Sequence, residues 1–181
     1  MTSVLPAAPE RLDPRPEWDE RDLLLGFLRW QRLTLLRKCQ GLTAEQLRTA
    51  AVPTSSLTLA GLIKHLAFVE ESWLVEDFRG DPMPQPWAGV DWDADPDWEF
   101  RTALDDSPTW LIDRYHEAWE RVDAIVAETD LRALSAAEVR IDDRRERVLL
   151  RWILYHLVEE TARHNGHADL LREAIDGSVG E

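Results

Sequence analysis

Apolar residues recur along the chain at positions i, i+3, i+4 and i+7, the spacing of an α-helix that buries one side. No long stretch alternates apolar and polar residues, as a half-buried strand would. Four long segments carry the helical pattern, and helices are expected at residues 17–40, 57–78, 108–128 and 148–175. The pattern therefore predicts an all-α protein built as a four-helix bundle.

Signals at the ends of these segments agree with this prediction. Ser107 precedes Pro108, which is an N-cap followed by the residue favoured at the first helical position. Gly177 follows the last helix, and glycine is common just after a helix C-terminus. Thr43 stands three residues before Gln46, so a capping box is expected to start a short helical turn after the first helix.

The helical pattern also predicts which residues each helix buries. On the first three helices these are Leu24, Phe27, Leu28, Leu35 and Leu36, then Leu59, Leu62, Leu66, Val69 and Trp73, then Leu111, Tyr115, Val122 and Ile125. On the last helix they are Leu149, Ile153, Leu157, Ala168, Leu171 and Ile175.

The segments between the helices differ in character. Residues 1–16 contain four prolines and are expected to form an extended arm. Residues 80–106 form a long connection that is rich in proline and carries Trp87, Trp92 and Trp98. Long connections in compact domains are commonly functional or disordered, and the tryptophans favour a packed loop. Residues 129–146 are polar and predict no element. We expect one domain that spans residues 1–181.

Composition and charge exclude several classes of function. The chain has 181 residues and a net charge of −14, so nucleic acid and anionic membrane surfaces are not expected as partners. No apolar run approaches the roughly 18 residues of a membrane span, and the first residues do not resemble a signal peptide. A cytoplasmic protein is therefore expected. With Cys39 as its single cysteine, the chain forms no internal disulfide and no cysteine-based zinc cluster.

Polar residues interrupt the apolar stripe of the last helix. Glu160 and His164 both fall within it, and they stand one above the other because they are four residues apart. His156 and His167 lie at its edge. A carboxylate in an apolar core is rarely fully buried unless it is paired or binds a metal. A Glu-x-x-x-His pair therefore predicts two ligands of a divalent metal.

A third ligand is expected from another helix, and His65 at the edge of the second stripe is the candidate. Three protein ligands with open positions are typical of a catalytic zinc site. Two other interpretations stay open. Glu160 could pair with an arginine of a facing helix, and His65 and His164 could be ordinary core histidines.

Two segments together resemble the DinB/YfiT-like superfamily: SLTLAGLIKHLAFVEESW and RWILYHLVEETARHNGHADLLREAIDG. Within the superfamily the chain resembles an actinobacterial branch known as a domain of unknown function or "mini-circle protein". Its Glu160 and His164, where many members have two histidines, resemble the mycothiol-dependent maleylpyruvate isomerase type. The resemblance implies a four-helix bundle that holds a divalent metal with His65, Glu160 and His164. Relatives often have glutamine where this chain has the Asn165-Gly166-His167 stretch, which leaves His167 open as a fourth ligand or a substrate-facing group.

The resemblance also implies chemistry. Characterised members use low-molecular-weight thiols in transferase or isomerase reactions, so mycothiol or a similar thiol is an expected cofactor. A divalent metal lowers the pKa of bound water or thiol. Zn²⁺ is the first expectation, and Ni²⁺ or Mn²⁺ would also suit these ligands. His167 and His156 are the candidates for proton transfer. Arg163 and Arg172 could hold an anionic substrate, although pairing with neighbouring carboxylates on the helix surface is favoured.

The sequence thus predicts a metal-dependent enzyme that activates a small thiol, or water, and acts on a small molecule. Cys39 is expected to pack rather than react. Two alternatives remain: a non-catalytic metal-binding or stress-response bundle, and a helical interaction protein without a metal. A homodimer is among the expected assemblies.

Overall fold

The computed structural model describes Leu5 and residues 9–180, and most of them are helical, as the sequence predicts. Its elements, in chain order, are α1 (Glu20–Cys39), α2 (Ala44–Leu47), α3 (Leu59–Glu71), a π-helical segment (Ser72–Phe78), α4 (Trp98–Thr102), α5 (Pro108–Ala127), β1 (Val139–Ile141), β2 (Arg144–Glu146) and α6 (Leu150–Asp176). No helix of this described part is both long and apolar enough to cross a membrane.

The predicted capping residues make the expected bonds. In the capping box, Thr43 Oγ1 accepts from the Gln46 amide at 3.2 Å, and Gln46 Oε1 accepts from the Thr43 amide at 2.9 Å. Ser107 Oγ accepts from the amide of Trp110, in the first turn of α5, at 3.2 Å. Gly177 ends α6 in the left-handed conformation, which costs glycine little because it has no Cβ.

The structure differs from the predicted elements in several places, including the short helix α4 inside the long connection and the start of α6 at Leu150. α1 begins at residue 20 rather than 17, because Asp19 Oδ1 accepts a hydrogen bond from the Asp22 amide at 3.0 Å and so caps the helix. The helix expected at 57–78 begins two residues later and widens into the π-helical segment after Glu71. The polar stretch at 129–146 contains the antiparallel pair β1–β2, whose three-residue strands are too short to show an alternating pattern.

The long helices pack in pairs. α1 packs along α6, α3 packs along α5, and α3 also contacts α6 and α4. The described core has two apolar clusters, one around Leu62, Leu66 and Tyr115 and the other around Leu28 and Ile153. α3 contributes residues to both clusters and is buried along almost its whole length.

The prediction that Phe27 is buried was wrong. Its side chain is 47% exposed, on the outer side of α1, where it lines an apolar groove with Tyr155 of α6. Leu24 and Leu28 point into the core and are at most 5% exposed. Phe27 sits at the edge of their stripe, where the contact between α1 and α6 opens to solvent. Leu149, also expected on a buried helical face, is instead the partly buried N-cap of α6.

A buried ion pair joins α1 to α3. The guanidinium of Arg32 donates from Nε and Nη2 to the two carboxylate oxygens of Glu70, at 2.8 and 2.5 Å. Both side chains are almost fully buried. Arg32 also donates from Nη1 to Asp123 of α5 at 2.8 Å, and the Asp123 side chain is half-exposed. One arginine therefore connects three helices.

We predict that Glu70→Gln destabilises the protein by about 3–5 kcal/mol, because it removes the buried counter-charge of Arg32 and leaves only the half-exposed Asp123. Urea unfolding followed by tryptophan fluorescence measures the change in the free energy of unfolding. Asp123→Asn is the matched control, since it neutralises the exposed carboxylate on the same arginine and should cost less than about 1 kcal/mol. Equal losses in the two variants would contradict the prediction.

Candidate metal centre

Three side chains from two facing helices meet at the contact between α3 and α6. His65 comes from α3, and Glu160 and His164 come from successive turns of α6. Glu160 Oε1 lies 3.1 Å from His164 Nε2 and 3.6 Å from His65 Nε2. One ligand atom from each of the three residues lies within 4.8 Å of the others. The residues predicted as metal ligands are therefore close neighbours.

The geometry and chemistry of this group fit a divalent metal. Two imidazole nitrogens and a carboxylate oxygen are ligands that Zn²⁺ accepts. In a tetrahedral site with metal–ligand distances of about 2.1 Å, neighbouring ligand atoms lie about 3.4 Å apart. Two separations of 3.1 and 3.6 Å are close to that value, and the third needs only a small side-chain movement. The side chains keep 10–16% of their surface exposed, so the group is in contact with solvent.

Hydrogen bonds among the three side chains shift their pKa values. The bonds from His164 and His65 hold the pKa of Glu160 well below its usual range, although burial opposes the shift. Burial alone would lower the pKa of His65, but the carboxylates of Glu160 and Glu99 outweigh burial and raise it. Glu160 is therefore ionised at neutral pH, which is the form that binds a cation.

Each of the two histidines has a partner on its other ring nitrogen. Glu99 Oε1 lies 2.9 Å from His65 Nδ1, and Glu99 belongs to α4 in the long connection after α3. His167 Nδ1 lies 3.3 Å from His164 Nδ1. Metal-binding histidines commonly have such a partner on the nitrogen that does not bind the metal. Both Nε2 atoms therefore remain directed towards Glu160.

Glu99 is a neighbour of the candidate ligands that the sequence does not indicate. Close to the ligands along α6 stand Glu159, Asn165, His167 and Asp169, and of these four His167 is the one with a described contact to a candidate ligand. Asn165 donates to Gln31 of α1, and Asp169 pairs with Lys38. Nothing in the spacing of the loop residues points to Glu99, because its contact with His65 depends on how the loop folds back onto α3.

His156, the other candidate for proton transfer, lies within an aromatic cluster. Its ring stacks on Trp152 with a centroid distance of 5.6 Å and meets Trp73 edge-on at 4.9 Å. Its Nδ1 lies 3.5 Å from Glu159. The contacts described for His156 are with these neighbours rather than with the candidate ligands. A catalytic role for His156 stays a prediction.

The two arginines near the centre in sequence have different surroundings. Arg163 donates to Glu159 at 2.5 Å, and its Nη1 lies 3.1 Å from Glu160 Oε2. The arginine that pairs with Glu160 thus comes from its own helix and is half-exposed, rather than from a facing helix. Arg172 donates to the carbonyls of Lys38 and Gln40, so it satisfies the C-terminal end of α1.

The tryptophans of the long connection pack against α3. Trp87 is 2% exposed, and its indole nitrogen donates to Glu71 at 2.5 Å. Trp87 and Trp92 both contact the ring of Phe68, with centroid distances of 5.4 and 4.4 Å. Trp98 contacts both of these tryptophans. The loop is therefore a packed layer beside the centre.

Cys39 is fully buried, and burial raises the pKa of its thiol to about 12, against the opposing effect of Arg172. Reactivity of cysteine requires the thiolate. Cys39 is therefore a packing residue, as the sequence predicts, and a nucleophilic thiol would have to come from another molecule.

We predict that the purified, untagged protein binds about one divalent metal per chain and that His65→Ala and His164→Ala abolish this binding, since each removes a ligand from a three-ligand site. Mass spectrometry of metal content after dialysis gives the stoichiometry. His116→Ala is the control, because His116 lies on α5, where its ring contacts Trp119. Equal metal content in all four proteins would contradict the assignment of the ligands.

A family model described as mycothiol-S-transferase matches residues 23–177, from the first turn of α1 to the end of α6. No curated protein gives a significant match to the chain. The matched family is DinB/YfiT-like, so the resemblance seen in the sequence is confirmed. The match includes His65, Glu99, Glu160 and His164. The chain therefore belongs to the mycothiol-S-transferase family.

Proposed function

We propose that this protein is a divalent-metal-dependent S-transferase that joins mycothiol, or a closely similar thiol, to a small electrophilic molecule. The observation that carries the proposal is the convergence of His65, Glu160 and His164 in a chain of the mycothiol-S-transferase family. We also infer that the long helices form one DinB-like four-helix-bundle domain over the whole chain.

His65, Glu160 and His164 would hold the cation, with Zn²⁺ the first expectation and Ni²⁺ or Mn²⁺ the alternatives. A cation held in this way would lower the pKa of a thiol at the site, so that the thiolate forms near neutral pH. Because Cys39 is inert, the protein contributes no thiol of its own. In the proposed transfer a carbon–sulfur bond forms, the bond from that carbon to its leaving group breaks, and the thiol proton passes to solvent.

His167 has the position of an orienting group for His164. Burial and the neighbouring His164 and Arg163 lower its pKa, so it is neutral at physiological pH. A neutral His167 can accept a hydrogen bond from His164 Nδ1, which leaves His164 Nε2 free to bind a cation. Arg163 is half-exposed beside Glu160 and would be the nearest positive side chain for an anionic group on the substrate.

We predict that the metal-loaded protein accelerates conjugation of mycothiol to a fluorogenic haloalkyl electrophile. The rate should fall to the protein-free rate with a chelator and return when Zn²⁺ is restored, because the thiolate would form only at the loaded site. His65→Ala should likewise give only the protein-free rate, because it removes one of the three ligands that would hold the metal. Fluorescence of the conjugate gives the rate.

His116→Ala serves as the control for this assay and should keep full activity. Glutathione and coenzyme A, tested in place of mycothiol, determine the preferred thiol. A protein that binds metal but conjugates none of these thiols would favour the non-catalytic metal-binding alternative. A protein that binds no metal would favour a helical interaction protein.

A further inference from the structure

We propose that Glu99 is a positioning residue of the metal centre, and that α4 therefore belongs to the site. Its carboxylate would fix the His65 ring so that Nδ1 points to the loop and Nε2 points to Glu160. This inference rests on the proposed metal-dependent function. Glu99 lies in the long connection, outside the helical spacing that predicts the three ligands.

The contacts of His65 leave its ring little freedom. Glu99 Oε1 lies 2.9 Å from Nδ1 on one edge, and Glu160 Oε1 lies 3.6 Å from Nε2 on the other. Phe100 stacks on the ring at a centroid distance of 4.6 Å, and His164 meets it edge-on at 4.8 Å. Two of these four neighbours, Glu99 and Phe100, are consecutive residues of α4.

The described hydrogen bond of the Glu99 carboxylate only partly compensates for its burial. The residue is 3% exposed, and its Oε2 has no hydrogen-bond partner among the residues that the structure describes. A buried carboxylate with an unpaired oxygen costs free energy. Glu99 and Glu160 place two carboxylates around one imidazole. A divalent cation held at His65 Nε2 would supply positive charge next to them, which would give the buried Glu99 carboxylate a function.

The loop that carries Glu99 is fixed to α3 at several points. Lys64, the residue before His65, donates to Thr102 at 2.7 Å and to Asp106 at 2.6 Å, and it is 2% exposed. Gly61 lies one turn before His65, and a Cβ at this position would come within 2.9 Å of the Phe100 ring. The small residue and the buried lysine therefore allow α4 to lie directly on α3.

These attachments do not involve His65, Glu160 or His164. α4 can thus hold Glu99 in place whether or not a metal is bound, so the centre is formed before the metal arrives. Removal of the Glu99 carboxylate should therefore weaken metal binding without loosening the loop. This expectation separates a positioning role from a purely structural one.

The test compares Glu99→Ala and Glu99→Gln with the wild-type chain. The dissociation constant for Zn²⁺ is measured by competition with a chromophoric chelator. Glu99→Ala should bind about 10- to 100-fold more weakly, the usual effect of removing an orienting partner. Glu99→Gln should recover part of this loss, because its amide oxygen can still accept from Nδ1 although the charge is gone. Asp97→Asn, an exposed carboxylate two residues away, is the control and should bind as the wild type does.

Two further measurements guard against a misfolded variant. Thermal unfolding of the metal-free proteins should give similar Tm values for the wild type and Glu99→Gln. In the zinc-loaded wild type, a nitrogen–proton correlation NMR spectrum should show the Nδ1 proton of His65 at low field, as expected for a bond to a carboxylate. This signal should move upfield in Glu99→Gln.

The outcomes are distinct. Weaker Zn²⁺ binding by the Glu99 variants, with the shifted Nδ1 signal, supports the inference. Wild-type affinity in both variants, or an unshifted signal in Glu99→Gln if the alanine variant does not fold, overturns it and leaves the proposed function intact. A wild-type chain that binds no Zn²⁺ overturns both.

Discussion

Buried charge on α3 is the constraint on which the rest of the structure depends. This helix is almost wholly buried, yet it carries Lys64, His65, Glu70 and Glu71. An unpaired charge in such a position would cost several kcal/mol, so each of these groups needs a partner from elsewhere in the chain. α1, α4, α5, α6 and the rest of the long connection supply these partners. They include Arg32, Glu99, Arg114, Arg121, Glu160, Trp87, Thr102 and Asp106.

These pairs determine geometry more than they add stability. A buried ion pair contributes little net free energy compared with an apolar pair of the same size, but losing one partner is costly. The elements around α3 are therefore held in one arrangement. His65 is the member of this set that has two carboxylate neighbours and no arginine or lysine among its described contacts. Among the charged positions of α3, His65 is therefore the one whose described carboxylate neighbours a cation would balance.

Helical spacing could predict the candidate ligands but not their surroundings. Glu160 and His164 share a face because they are four residues apart, and His65 falls on the facing stripe, so local periodicity places all three. Glu99 contacts His65 across 34 positions of sequence through a loop whose path depends on the packing of Trp87 and Trp98. The π-helical segment and β1–β2 also escaped prediction. The strands of β1–β2 have three residues each, which is too short for an alternating pattern.

The asymmetry between the two histidines bears on what the centre can do. His65 has a carboxylate on Nδ1, whereas His164 has the neutral ring of His167. A carboxylate partner makes the imidazole a more basic metal ligand, so a cation would bind more tightly. The same effect would leave the cation with less positive charge to lower the pKa of a thiol. A neutral partner such as His167 would change both the tightness of binding and the acidifying effect of the cation less than a carboxylate does. In the proposed function, one histidine with a carboxylate partner and one with a neutral partner would therefore balance retention of the cation against its effect on the pKa of a thiol.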